Sequence, residues 1–176
     1  MARQGEFVRA SNLIVDLANN GDSTAQYVLS MYFRDPNALN IPEVGEMWLM
    51  RAAENNNAKA QYDLGWRLAA GWKNDTVEDI VEMIYWFERA TFNGSDDAYA
   101  NLATLYENEF RDVLVEMEVA ANDGNAMAQF NLGWINARGL VNSEGLMQDM
   151  DIAKAWFEKS ANLGFKDAIE VLEKNF

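Results

Sequence analysis

Carboxylates are the abundant chemistry-bearing side chains of this sequence. There are 28 Asp and Glu against 14 Lys and Arg, with no His and no Cys. Two close pairs, Asp96-Asp97 and Glu116/Glu118, have the composition of the acid and base of a glycoside hydrolase. In so acidic a chain such pairs also arise by chance. Asp96-Asp97 falls where a helix begins, a place carboxylates occupy to cap the helix and meet its dipole. Glu116 and Glu118 read as part of a solvated helix face. Nucleophilic catalysis requires a base beside the nucleophile, and the sequence offers neither a G-x-S-x-G nor an S-x-x-K stretch. The stretch from Asn142 to Asp151, with Glu144, Asp149 and Asp151, lacks EF-hand spacing and reads as an inserted loop. The glycines are single, so no phosphate-cradling loop is formed. No catalytic residue, metal ligand or cofactor is assigned, and the chain reads as a binder rather than an enzyme.

The charge narrows the partner. A net charge of −14 opposes binding to DNA or RNA, where Lys and Arg must neutralise phosphates. It opposes an anionic membrane surface as well. A basic protein is the class it favours. No apolar run approaches the length needed to cross a bilayer. Within Met1–Gly21 the apolar stretch Leu13-Ile14-Val15 is too short for a signal core, so a cytoplasmic protein is expected.

Positioning falls to a repeat. One word recurs as Ala25-Gln26-Tyr27-Val28-Leu29, Ala60-Gln61-Tyr62-Asp63-Leu64 and Ala128-Gln129-Phe130-Asn131-Leu132. Weaker copies begin at Ala98 and Ala168, and two copies continue as Leu64-Gly65-Trp66 and Leu132-Gly133-Trp134. A second word alternates with it: Trp48-Leu49-Met50-Arg51-Ala52-Ala53, Trp86-Phe87-Glu88-Arg89-Ala90 and Trp156-Phe157-Glu158-Lys159-Ser160-Ala161. Each word places small and large apolar residues four apart on one helix face, which lets two helices pack closely. Gly21, Gly94, Gly124 and Gly164 follow at a fixed offset, where a helix ends.

Naming the first word helix A and the second helix B, the order is B-A five times over. B helices are predicted near 6–20, 43–55, 77–93, 109–123 and 149–163, and A helices near 22–34, 58–70, 95–108, 125–137 and 165–175. Helix pairs at this period predict an all-α, right-handed α-solenoid. It forms a single domain over 1–176, with a half-repeat at 6–20, repeats near 22–56, 58–94, 95–124 and 125–164, and a capping helix at 165–176.

The words resemble the Sel1-like repeat, a relative of the tetratricopeptide repeat. The fullest match runs Ala128, Leu132-Gly133, Gly139, Asp149, Ala153, Trp156-Phe157, Lys159-Ser160-Ala161, Gly164. Leu68 and Asn136 stand where that family has Tyr, which Tyr106 keeps. The repeat from Ala98 to Ala128 is short, and Glu116 replaces its Trp. The resemblance implies a protein–protein adaptor, inhibitor or signalling scaffold.

Binding residues are then sought on the A helices, which line the concave face in this architecture. Trp66 and Trp134 share one position just after Leu-Gly, and Trp is the most enriched residue of binding hot spots. The competing reading packs each against its neighbouring repeat. Asp63 and Arg67 flank Trp66, Asn101 and Tyr106 lie on the next A helix, Asn131 and Arg138 flank Trp134, and Trp72 falls in a loop. A second candidate surface is charged. Residues 75–123 hold 13 acids and two bases, so that most of the excess negative charge lies there. Asp97, Glu107, Glu109, Asp112, Glu116 and Glu118 are its candidate contacts. The expected function is a cytosolic inhibitor of immunity type that neutralises a basic partner such as a toxin. The alternatives are an assembly or signalling adaptor and a carboxylate-pair hydrolase.

Overall fold

The computed structural model describes residues 12–70, 76–108, 110–139 and 148–176, and the side chains among them apart from those of 107, 108, 110 and 111. Among the described residues the chain is all-α, without a strand. Residues 12–19 belong to α1. There follow α2 (Ser23–Arg34), α3 (Pro42–Glu54), α4 (Ala58–Ala69), α5 (Val77–Phe92), α6 (Asp96–Asn108), α7 (Phe110–Asn122), α8 (Ala126–Arg138), α9 (Met150–Asn162) and α10 (Lys166–Asn175). From α2 onward each helix predicted from the two words is present, its ends agreeing to about one residue.

Local chemistry sets the ends. Asp22, Asn57 and Asn125 accept from the backbone N–H three residues on, at 2.7, 3.0 and 3.0 Å, which satisfies a donor the helix leaves orphaned. Asp149 caps α9 by accepting from Asp151 and Ile152. At the end of α5, Gly94 sits at φ +90°. There the Gly94 N–H donates to Thr91 O and the Ser95 N–H to Ala90 O, the paired bonds of a Schellman stop. In the repeat starting at Trp48 the matching residue is Asn56, which takes φ +63° in place of Gly, as Asn can.

The chain divides into two compact units, Met1–Leu64 with Arg89–Ser95 and Gly65–Glu88 with Asp96–Phe176. The first buries Ala18, Ala25, Leu29 and Trp48, with Ile14, Phe33 and Val44 packed against them. Its repeat Gln residues are buried hydrogen-bonding hubs. Gln26 and Gln61 donate to the carbonyls of Ala18 and Ala53, each at 2.9 Å. They accept from the amides of Asn55 and Asn93, also at 2.9 Å. Buried amides must find such partners, so the Gln of the repeated word is structural.

The second unit has an aromatic core. Phe130 lies 5.7 Å from Phe157 and 5.2 Å from Phe165 between ring centroids, and Tyr85 lies 6.0 Å from Phe130. The Tyr85 hydroxyl donates to Asp167 at 2.9 Å, tying α5 to α10. The Gly of Leu-Gly-Trp is there for close approach. A Cβ at Gly65 would stand 2.7 Å from Cδ1 of Phe87, and Gly133 faces Phe157 in the same way. In the short repeat the corresponding positions hold Ala103 and the buried Met117.

Candidate protein-interaction site

Glu88 is the most unusual side chain of the second unit. It projects from α5 and is fully buried. Its Oε2 pairs with the Arg138 guanidinium at the end of α8, and its Oε1 accepts from the Tyr106 hydroxyl of α6 at 3.4 Å. Burial disfavours the charged carboxylate and pushes its pKa up to about 7, against the opposing pull of Arg138 and of the Tyr106 hydrogen bond. The Tyr106 hydroxyl is raised well above its ordinary value, first by burial and then by the Glu88 charge. A carboxyl near 7 suits general acid–base work, but a fully buried side chain offers no substrate a way in. Arg138 also lies over the Trp134 ring, at 5.1 Å from its centroid. The structure thus joins three residues singled out from the sequence, Tyr106, Trp134 and Arg138, around a fourth that was not.

The other sequence candidates lie apart from this cluster. Asn131 is buried and donates to the carbonyl of Val81 at 2.8 Å, joining α8 to α5. Asp63 sits in the first unit, where it accepts from the Tyr27 hydroxyl at 3.2 Å and pairs with Arg34 at 3.4 Å. Burial, then the Asp63 charge, raises the pKa of Tyr27. Trp66 is 54% exposed while Trp134 is half-buried against Phe130 and Phe157. Arg67 is exposed and Asn101 half-buried. Trp72 lies outside the described residues, as do the side chains of Glu107 and Glu109 and most of the Asn142–Asp151 stretch. No group of metal-ligating side chains occurs among the described residues, and no described helix is long and apolar enough to cross a membrane.

Within the acidic segment, the described acids of α6 and α7 lie at the surface. Asp96 and Asp97 occupy the first turn of α6 and are exposed. On α7, Val113, Met117 and Ala121 are buried at four-residue spacing. At about 100° per residue, Val115 and Val119 fall on the opposite face, and they are 55% and 57% exposed. Asp112 and Glu118 are exposed and Glu116 is half-buried. Glu116 and Glu118, two residues apart, point away from one another. Beside the end of α7 lies a cleft of about 450 Å³, lined by Val77, Glu78, Val119, Ala120, Asp123, Gly124 and Asn125.

These repeated pairs have known counterparts. The Sel1 repeat family model matches residues 58–94 and 126–165. These two stretches of the chain match the Sel1 repeat. Repeats of this kind typically mediate protein–protein interaction and are not catalytic. A crystal structure of a Sel1 repeat protein from Oxalobacter formigenes is similar at 26% identity. It covers 94% of this chain and 98% of that one, with a TM-score of 0.40. A protective antigen of uropathogenic Escherichia coli strains, described as displaying an SLR fold, is 22% identical over 94% of this chain. That match spans 37% of the antigen, with a TM-score of 0.46. A search of the curated proteins gave no match.

The Sel1 pattern explains why Glu88 escaped notice in the sequence. It occupies the third place of Trp86-Phe87-Glu88, and Trp156-Phe157-Glu158 repeats those types in the other matched Sel1 repeat. A residue inside the repeated word reads as part of the repeat. The α7 face left a clearer trace: Val115 and Val119 are four apart but out of phase with the Val113, Met117, Ala121 stripe.

Proposed function

We propose that this chain is a non-enzymatic, cytoplasmic protein-binding scaffold that captures a basic protein, acting as an inhibitor of immunity type. The observation that carries this reading is the exposed acidic surface of α6 and α7. Residues 96–123 contain eight acids and a single base, Arg111. Asp96, Asp97, Asp112, Glu118 and Asp123 among them are exposed. Such a field accelerates encounter with a cation-rich partner and repels acidic ones. The coarser part of the reading, protein binding, is what Sel1 repeats typically do. Trp66, 54% exposed on α4, is a further A-helix residue open to a partner.

The test is capture from the native host followed by mass spectrometry, then association kinetics with the purified partner over a salt series. A basic partner is expected, with an association rate that falls steeply as salt rises while dissociation changes less. A salt-independent association rate or an acidic partner overturns the electrostatic reading. Adding one equivalent of the chain to the partner should abolish the partner's own activity. A partner that stays active in the complex makes the chain an adaptor.

A further inference from the structure

We infer that the solvent face of α7, continued by the cleft at its end, docks an amphipathic basic helix of the partner, one carrying aliphatic residues at i and i+4 between Lys and Arg. This rests on the proposed capture of a basic protein and assigns it a surface. On a helical projection, Val115 and Val119 lie about 40° apart. Asp112 and Glu116 fall on one side of them, and Glu118 falls on the other, with position 111, an Arg, between it and Val115. An aliphatic stripe beside which carboxylates outnumber cations three to one is the complement of a helix whose aliphatic stripe is flanked mainly by cations. The valines supply apolar area that leaves water on docking, and the carboxylates fix the sign and register of the partner.

The cleft gives the face a defined end. Val119 contributes to both, and Val77, Glu78 and Asp123 complete the cleft's wall. Its two carboxylates and two valines suit a Lys or Arg side chain, whose methylene stem covers apolar surface while its charged head stays near oxygen. The same geometry selects against nucleic acid, which would set phosphates against carboxylates. It also distinguishes this surface from the A-helix positions singled out in the sequence, because α7 is a B helix.

The experiment uses the full chain and synthetic helical peptides of about 18 residues, long enough to hold helix when bound. One peptide has Leu at i and i+4 flanked by Lys and Arg. A second replaces its cations with Glu, and a third keeps the cations and replaces each Leu with Ser. The first should bind by fluorescence anisotropy, with amide shifts confined to α7 and the start of α5. The second should not bind, and the third should bind at least about tenfold more weakly. Val115→Lys and Val119→Lys should each weaken the first peptide about tenfold or more, since both put a cation against the cationic helix. Ile152→Lys, a like change at another exposed site, should leave binding unchanged. Circular dichroism melts separate lost binding from lost fold. Equal binding of all three peptides, or indifference to both valine variants, overturns the inference. If the host partner is captured but ignores Val119→Lys, the docking face is wrong and the wider reading stands. If no basic partner is captured, the wider reading fails.

Discussion

The two matched Sel1 repeats use the same words and arrive at different environments. Trp66 and Trp134 occupy one repeat position, yet Trp66 is 54% exposed while Trp134 stacks edge-on against Phe157 at 5.5 Å. One cause lies a helical turn further on. Four residues after Trp134 comes Arg138, whose guanidinium lies over the ring, and four after Trp66 comes Ala70, too short to reach back. Glu88 and Glu158 diverge in the same manner. Glu88 is sealed between Arg138 and Tyr106, whereas Glu158 keeps a 55% exposed side chain facing Lys154 of its own helix at 4.0 Å. The repeat word sets which helices pack. The residues around it decide whether a Trp or a Glu is surface or core.

That contrast can be broken at several points. The largest effect is expected for Trp134→Ala, which removes a packed ring and should cost about 3–5 kcal/mol in denaturant unfolding. Trp66→Ala should cost less than about 1 kcal/mol, and equal losses would erase the distinction between the two positions. Next comes Arg138→Ala. It leaves Glu88 buried without its cation and should cost about 3 kcal/mol at pH 8. Part of that loss should return below pH 6, where Glu88 takes up a proton. A loss that does not vary with pH would mean that Arg138 acts through Trp134 alone.

Glu88 itself should make stability depend on pH. Its native pKa, about 7, lies above its ordinary value of 4.5, so the native state holds this proton more tightly than the unfolded chain. The contribution is fully present below about pH 4.5 and is lost as pH rises through 7. Glu88→Gln should therefore flatten the fall in stability between pH 5 and 7 relative to the parent chain, an effect of a few kcal/mol at most. A parent and variant with parallel pH profiles would count against the raised pKa. The smallest effect is expected at the equivalent position. Glu158→Gln should change stability by no more than about 0.5 kcal/mol, because the pair it breaks is exposed.

Much of the fold was legible because packing repeats while surfaces do not. Ala60 and Leu64, Trp86 and Ala90, and the paired Gly65 and Phe87 must recur wherever one helix pair stacks on the next, so their spacing shows in the sequence. The proposed interaction surface was legible only in part. Acidic charge could be counted, and Asp97, Asp112 and Glu118 are indeed exposed. The Glu88 cluster was hidden because α5, α6 and α8 bring together residues 88, 106 and 138, separations that no local spacing encodes. Asn131 illustrates the same limit: its polar side chain reads as a surface candidate, yet it serves a backbone carbonyl 50 residues away.

The buried Gln residues carry a consequence for how the first unit comes apart. Gln26 ties the end of α1 to the end of α3 through Ala18 and Asn55. Gln61 ties the end of α3 to the end of α5 through Ala53 and Asn93. Fraying the end of α3 therefore strips a partner from both amides at once, and neither can recover it from water while still enclosed. Local opening should be shared among the three helix ends, with amide hydrogens near 18–22, 53–57 and 90–95 exchanging as one cooperative group. Gln61→Leu, similar in bulk but unable to bridge, should let the α5 end exchange independently of the other two.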